Sequence, residues 1–171
     1  RHTRLQGDWS SDVCSSDLPV RFTPYIGGGA GGSSALYGMV LERLFASDFT
    51  PRGNFQSLGA STIPESWPID YQQLRPWYAR AEELYQVHGA PDPLRPGDVD
   101  CRLIPSPPLT PANAELAEHL HKQGLHPYQM HMGCEHLPEC QTCQGYLCSS
   151  RCKKDASSVC LSPAVEKRSE E

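Results

Sequence analysis

Gly27-Gly28-Gly29-Ala30-Gly31-Gly32-Ser33-Ser34 runs directly into the apolar stretch Ala35-Leu36-Tyr37-Gly38-Met39-Val40-Leu41. Five of the first eight positions are glycine. Without a Cβ, such a loop lets backbone amides close on a ligand, at an entropic cost that a bound group must offset. Ser33 and Ser34 stand where a helix would begin, able to cap it or to donate to an anion. A flexible glycine linker would continue polar, whereas this one turns apolar. The stretch therefore reads as a phosphate cradle leading into a helix over Ser33 to about Ala46, with Leu36, Met39, Val40 and Leu44 on one face.

Gly27-x-Gly29-x-x-Gly32 has the outline of a dinucleotide fingerprint. That fingerprint needs a buried strand before it and an acidic residue ~20 positions on. Arg21-Phe22-Thr23-Pro24-Tyr25-Ile26 is a poor central strand, since it carries a proline and few apolar residues. No lysine follows the glycines, so a Walker loop is excluded as well.

The two ends read as translated sequencing adapter. Arg1-His2-Thr3-Arg4 and Asp8 to Leu18 follow one adapter strand in frame, and Arg168-Ser169-Glu170-Glu171 follows its complement. Set aside as non-native, residues 1–18 and 168–171 are expected to lie outside any core. They leave Pro19 to Lys167, expected to be an internal piece of a longer gene. The formal charge then falls from −5 to −3, and Cys14 leaves the count of eight cysteines. This mild acidity gives no support for nucleic acid or an anionic membrane as partner. No apolar run approaches the ~20 residues of a membrane span. Sixteen prolines and many short loops suggest a piece that drapes over something larger.

Asp70 is placed to cap a helix, with Gln73 completing a capping box. Pro76 is expected in the first turn of that helix, and the end at Gly89. Trp77, Ala81 and Leu84 form one apolar row, flanked by Tyr78 and Tyr85, and read as core. Thr110-Pro111 gives a second start, cap plus proline at the first helical position, with Gly124 closing the helix. Leu116 and Leu120 are expected inward; His119 and His121 are expected in solvent. Tyr128, Met130 and Met132 alternate with Gln129 and His131, which predicts a half-buried strand.

The cysteine-rich segment reads Cys140-x2-Cys143-x4-Cys148-x3-Cys152, flanked by Cys134 and Cys160. Thiolates at such spacings can hold zinc or an iron–sulfur cluster, and disulfides form if the protein is exported. The middle gap is too long for the bacterial ferredoxin run, and a zinc ribbon would set two short knuckles farther apart.

Taken in order, these pieces resemble the glucose–methanol–choline family of flavin-dependent oxidoreductases over nearly all of Pro19 to Lys167. The marks are Gly31-Gly32-Ser33-Ser34-Ala35-Leu36-x-Gly38-Met39-Val40, then Asp48-Phe49, then Trp67-Pro68-Ile69-Asp70-Tyr71-x-x-Leu74-x-Pro76-Trp77-Tyr78-x-Arg80-Ala81-Glu82. Cys152-Lys153-x-Asp155-Ala156 and Leu161-x-Pro163-Ala164 complete the set, and the cysteine block resembles a bacterial branch of the family.

The resemblance implies an α/β parent, with a Rossmann-like FAD-binding domain and a substrate domain. The piece in hand would be mostly helices and long loops with few short strands. FAD would lie along Gly31, Gly32, Ser33, Ser34, Tyr37, Gly38, Met39 and Val40, with Gly38 to Val40 near the isoalloxazine ring. Tyr37 departs from the Asn or His usual at its position, and Ala30 from a bulkier aliphatic. The parent would oxidise the CH–OH group of an alcohol, sugar or choline-like donor by hydride transfer to flavin. Its opening strand–GxGxxG–helix unit would precede Pro19, and its catalytic histidine pair would follow Lys167. No residue between these points is therefore assigned a catalytic role, and the stretch alone is expected to be inactive. In this branch the cysteines (Cys134, Cys140, Cys143, Cys148, Cys152 and Cys160) are expected to be structural, with no metal. The competing reading is a non-enzymatic, cysteine-rich metal-binding or interaction module with a glycine-rich arm. Substrate, electron acceptor and compartment are set by residues outside this stretch.

Overall fold

In the computed structural model, residues 27–55, 62–95, 97, 100–138 and 140–168 are described. The first predicted boundary that can be checked is the cap at Asp70. Its carboxylate accepts from the Gln73 backbone N–H at 2.8 Å, and the Gln73 side chain accepts from the Asp70 N–H at 3.0 Å. Two N–H groups that a helix start leaves without partners are thereby satisfied, and helix α1 runs over Tyr71–Leu84. Pro76 lies one turn deeper than expected, inside the helix. Tyr85 caps the far end, and Gln86 at φ 48° turns the chain away. Gly89 is not the stop; its missing Cβ would lie 2.8 Å from the His131 ring.

The face that α1 buries differs from the expected row. Trp77 is 60% and Leu84 50% exposed, while Tyr71 and Glu82 are buried. The turn of the helix is set by ion pairing at Glu82 rather than by its largest apolar side chain. Arg43, 2% exposed, meets Glu82 through Nε at 2.6 Å and Nη2 at 2.8 Å. Its Nη1 donates to Asp100 at 3.0 Å, and Asp100 also pairs with Arg75 at 2.9 Å. Glu82 accepts further from the Arg102 N–H at 2.7 Å. Burial opposes the charge on Arg43, yet the Glu82 hydrogen bonds outweigh it and lift its pKa above the ordinary guanidinium value. Burial likewise pushes Asp100 up, and the hydrogen bonds from Arg75 and Arg43 hold it below the usual carboxylate range. Beside this network Phe49 stacks obliquely on Trp67 and edge-on to Tyr71, at 5.9 and 6.1 Å.

Helix α2, Pro111–Lys122, follows its sequence signals closely. Thr110 Oγ1 accepts from the Asn113 N–H at 3.3 Å, Pro111 opens the first turn, and Gly124 takes φ 76° after the end. His119 and His121 are exposed as expected. Leu116 is 55% exposed, against expectation, because α2 lies over an open apolar groove of about 510 Å³ shared with Pro91 and Tyr128.

Among the described residues the remaining order comes from single β-bridges, not from full strands. Met132 pairs antiparallel with both Val40 and His88, and His88 pairs parallel with Ile104. Cys134 pairs antiparallel with Lys153. Residues 131–135 are thus the central segment, with 39–41 and 87–89 on its two edges. The expected alternation is inverted here. His131 is the buried residue at 3%, while Tyr128 and Met130 are exposed. Glu42 holds His131 by accepting from its N–H at 3.0 Å and facing its Nδ1 at 3.2 Å, and Nε2 meets the Ala90 carbonyl at 3.0 Å.

The helix expected over Ser33 to Ala46 does not form. A five-residue 3-10 turn, Gly32–Leu36, is followed by extended chain, and a second 3-10 turn spans Ala46–Phe49. Met39 at φ 65° breaks the helical path. Its carbonyl instead accepts from the Gly133 N–H at 2.8 Å, and Leu41 N–H donates to His131 at 3.0 Å. Pairing with residues far along the chain has overridden the local periodicity, and only Met39 of the predicted face is buried. The chain closes with a π-helical turn, Ser157–Leu161, continuing into helix α3, Ser162–Arg168. Residues 1–18 and 169–171 of the adapter-like ends lie outside the described residues, and Arg168 is exposed.

Candidate functional site

Two stretches singled out in the sequence meet across most of its length: the glycine loop with its 3-10 turn, and the segment that follows Cys152. The loop is braced from within. Gly31 and Gly32 have φ 84° and 58°, left-handed values that glycine adopts without strain. Gly32 N–H donates to the Gly29 carbonyl at 2.9 Å, and Gly27 N–H to Ser33 Oγ at 3.1 Å. Ser34 Oγ donates to the Gly31 carbonyl at 2.6 Å and accepts from the Ala156 N–H at 3.1 Å. Ser33 and Ser34 therefore brace the loop with their hydroxyls. A Cβ on Gly31 would come 3.1 Å from that of Ser157, while one on Gly28, Gly29, Gly32 or Gly38 would meet nothing within 4 Å. The loop is thus tight against the protein on one side and open along the other.

The rest of the predicted set divides. Gly38 and Val40 are exposed, whereas Met39 is buried at 1% in a cluster with Cys134 and Cys152. Tyr37 packs against the same cluster and donates from Oη to the Lys154 carbonyl at 2.5 Å. Burial, and then the negative charge of neighbours, pushes its phenol well above the ordinary range. Gly133 is what admits this ring, because a Cβ there would lie 2.6 Å from Tyr37 Oη. Lys153, 2% exposed, reaches under the turn and donates to the Ala35 carbonyl at 3.1 Å and the Tyr146 carbonyl at 2.8 Å. Its side-chain partners here are carbonyls and, at 5.9 Å, the face of Tyr37.

The cysteines converge on the same core. Sγ of Cys134 and Cys140 are 3.4 Å apart, Cys140 and Cys152 3.4 Å, and Cys148 and Cys152 3.2 Å. Sγ atoms of Cys134, Cys140 and Cys152 all lie within 4.8 Å of one another. None of the described cysteines is joined in a disulfide. Burial pushes the Cys134 thiol up to about 11, against the opposing His136 N–H, and drives Cys152 higher still. Cys148 goes the other way: burial is outweighed by backbone N–H groups, that of Lys153 first. Cys143, Cys148 and Cys160 are outside the three-sulfur group, Cys148 touching it only through Cys152, and Cys160 is exposed.

Sequence reasoning brought the glycine loop and the cysteines forward separately and did not join them. Lys153, Tyr37 as a brace and the Arg43–Glu82–Asp100 network were missed as structural anchors. For the last a signal existed: Glu42-Arg43 interrupts an otherwise apolar run, and a charged pair there points to buried partners.

His136 adds a pH dependence. It lies edge-on to His88 at 5.4 Å between ring centres, and burial, then the His88 charge, lowers its pKa. The unfolded chain takes up this proton near the ordinary value of about 6.5, while the folded chain resists it. Stability present above that pH is therefore lost as the pH falls below it. Denaturation midpoints at pH 7.5 and 5.5 should differ less in His136→Gln than in the native chain; equal differences would remove His136 from this account.

Compared with known proteins, the chain matches no family model, no curated protein and no solved structure. Among the described residues, no helix is long and apolar enough to cross a membrane.

Proposed function

We propose that the chain is a piece of an FAD-dependent oxidoreductase of the glucose–methanol–choline type, acting on the CH–OH group of an alcohol, sugar or choline-like donor. The observation that carries the reading is a juxtaposition. Two of the motif blocks behind the resemblance, Gly31–Val40 and Cys152–Ala164, are joined by the Ala156 to Ser34, Tyr37 to Lys154 and Lys153 to Ala35 hydrogen bonds. Motifs more than a hundred residues apart that brace one loop are expected of a single site, and not of unrelated segments. The flavin would supply the redox chemistry, and the protein its binding and orientation.

The residues fit this role in part. The open side of the loop at Gly28, Gly29 and Gly32 would let backbone approach a pyrophosphate. The five-residue turn after it is too short to add a helix dipole, so loop amides would hold the anion without that help. Ser33, Ser34 and Tyr37 would act by shaping the loop, and Met39 by anchoring it to the cysteine core. Gly38 and Val40, both exposed, would be the positions left to face the ring.

The test is to recover the complete reading frame and express it. The expected product is yellow and releases FAD on denaturation. Gly29→Val, whose Cβ would meet nothing within 4 Å, should be folded and about tenfold or more depleted in flavin; Gly32→Val should lose it as well. A colourless complete protein, or flavin undiminished in Gly29→Val, would sink the assignment.

A further inference from the structure

The segment between Cys134 and Lys153 poses a problem of stability. Of its large apolar side chains only Leu137 packs, partly buried, against the core, while Tyr146 and Leu147 are 75% and 72% exposed. Its described residues form no regular element, and it turns at His136, Thr142, Gly145 and Arg151, all at positive φ. Non-glycine residues in that region cost energy that the surroundings must over-determine. What the turns achieve is convergence: they fold the chain back so that Cys140 and Cys148 reach the Cys134–Cys152 pair. That pair is itself fixed by backbone, through Glu135 N–H to the Cys152 carbonyl and Lys154 N–H to the Gly133 carbonyl, both 2.8 Å.

We propose that Cys134, Cys140, Cys148 and Cys152 bind a single thiophilic divalent ion, zinc by its chemistry, which cross-links this segment to the core beneath the glycine loop. Thiolates around one tetrahedral zinc, with Zn–S bonds of ~2.3 Å, stand about 3.8 Å apart. Cys134, Cys140 and Cys152 already stand within 4.8 Å of one another, and Cys148, 3.2 Å from Cys152 but outside that group, swings inward to become the fourth ligand. An iron–sulfur cluster fits less well, because each iron takes its own thiolate and the sulfurs stand around the cluster rather than on one centre. On binding, the thiols give their protons to solvent, so the ion is held more weakly in acid. The buried Lys153 ammonium, whose side-chain partners are neutral carbonyls and a ring, offers local compensation for a thiolate-rich centre.

The experiment uses the whole 171-residue chain, purified under reductant with zinc in the medium. One equivalent of zinc per chain is expected by elemental analysis. Replacing zinc by cobalt should give thiolate-to-cobalt charge-transfer bands and the intense visible bands of a tetrahedral ion. Cys140→Ser should lose the equivalent and Cys160→Ser should keep it. The cobalt spectrum of the native chain keeps the test decisive if a cysteine variant fails to fold. Iron with acid-labile sulfide, intramolecular disulfides in the reduced preparation, or a chain that takes up neither zinc nor cobalt would each overturn the proposal. None of these outcomes bears on whether the complete protein carries flavin.

Discussion

Glu82→Ala should destabilise the chain by about 3–5 kcal/mol, the cost of stranding a buried charge. Arg43 would keep its contacts to the partly exposed Asp100, to the Tyr71 side chain and to the face of Tyr78, 5.6 Å from its Cζ. Small domains hold about 5–15 kcal/mol in all, so this one change removes a large share. Urea denaturation measures it directly, and a loss below about 1 kcal/mol would mean that the ion pair is ornamental. The companion variant Arg43→Met/Glu82→Leu removes both charges and should be far milder, since the expense lies in the orphaned partner more than in the missing bond. If the double variant is as damaged as Glu82→Ala, the hydrogen bonds to Asp100 and Arg102 carry the effect.

Gly133→Ala should cost about 1–3 kcal/mol by overpacking. The added carbon would fall 2.6 Å from Tyr37 Oη and 2.9 Å from Leu41 Cδ1. Tyr37 cannot move aside without giving up its bond to the Lys154 carbonyl. The matching cycle is with Tyr37→Phe, which deletes the obstructing oxygen. In that background Gly133→Ala should be at least 0.5 kcal/mol less harmful, the size of coupling expected between residues in contact. Strict additivity would show that the clash is relieved elsewhere.

These two sites also mark where the sequence was legible and where it was not. The caps at Asp70 and Thr110 could be read because a side chain three residues from an N–H settles the matter locally. The helix expected after the glycines was misread for the opposite reason. Leu36, Met39, Val40 and Leu44 have helical spacing, but Met39 pairs with Gly133 and Leu41 with His131. Nothing within the stretch announces either partner. Trp77 reads as core from its apolar row with Ala81 and Leu84, and the face of α1 is decided instead by Glu82, whose partner Arg43 lies 39 positions earlier. The candidate site follows the same division. The glycine loop and the cysteine spacing were visible as motifs, while the contact that unites them spans 117 to 122 positions.

That long reach has a consequence for how the chain is made. Closing a loop of about 120 residues costs on the order of 4 kcal/mol in chain entropy before any contact offsets it. Ribosomes add roughly 5–20 residues per second. Tyr37 and Met39 therefore emerge about 6–24 seconds before Lys153 and Lys154 exist to receive them. During synthesis α1 can form from its own caps, whereas the glycine turn waits for its partners. An arrest of translation before Cys152 would leave Met39 with Cys134 alone of the two buried sulfurs it is packed against.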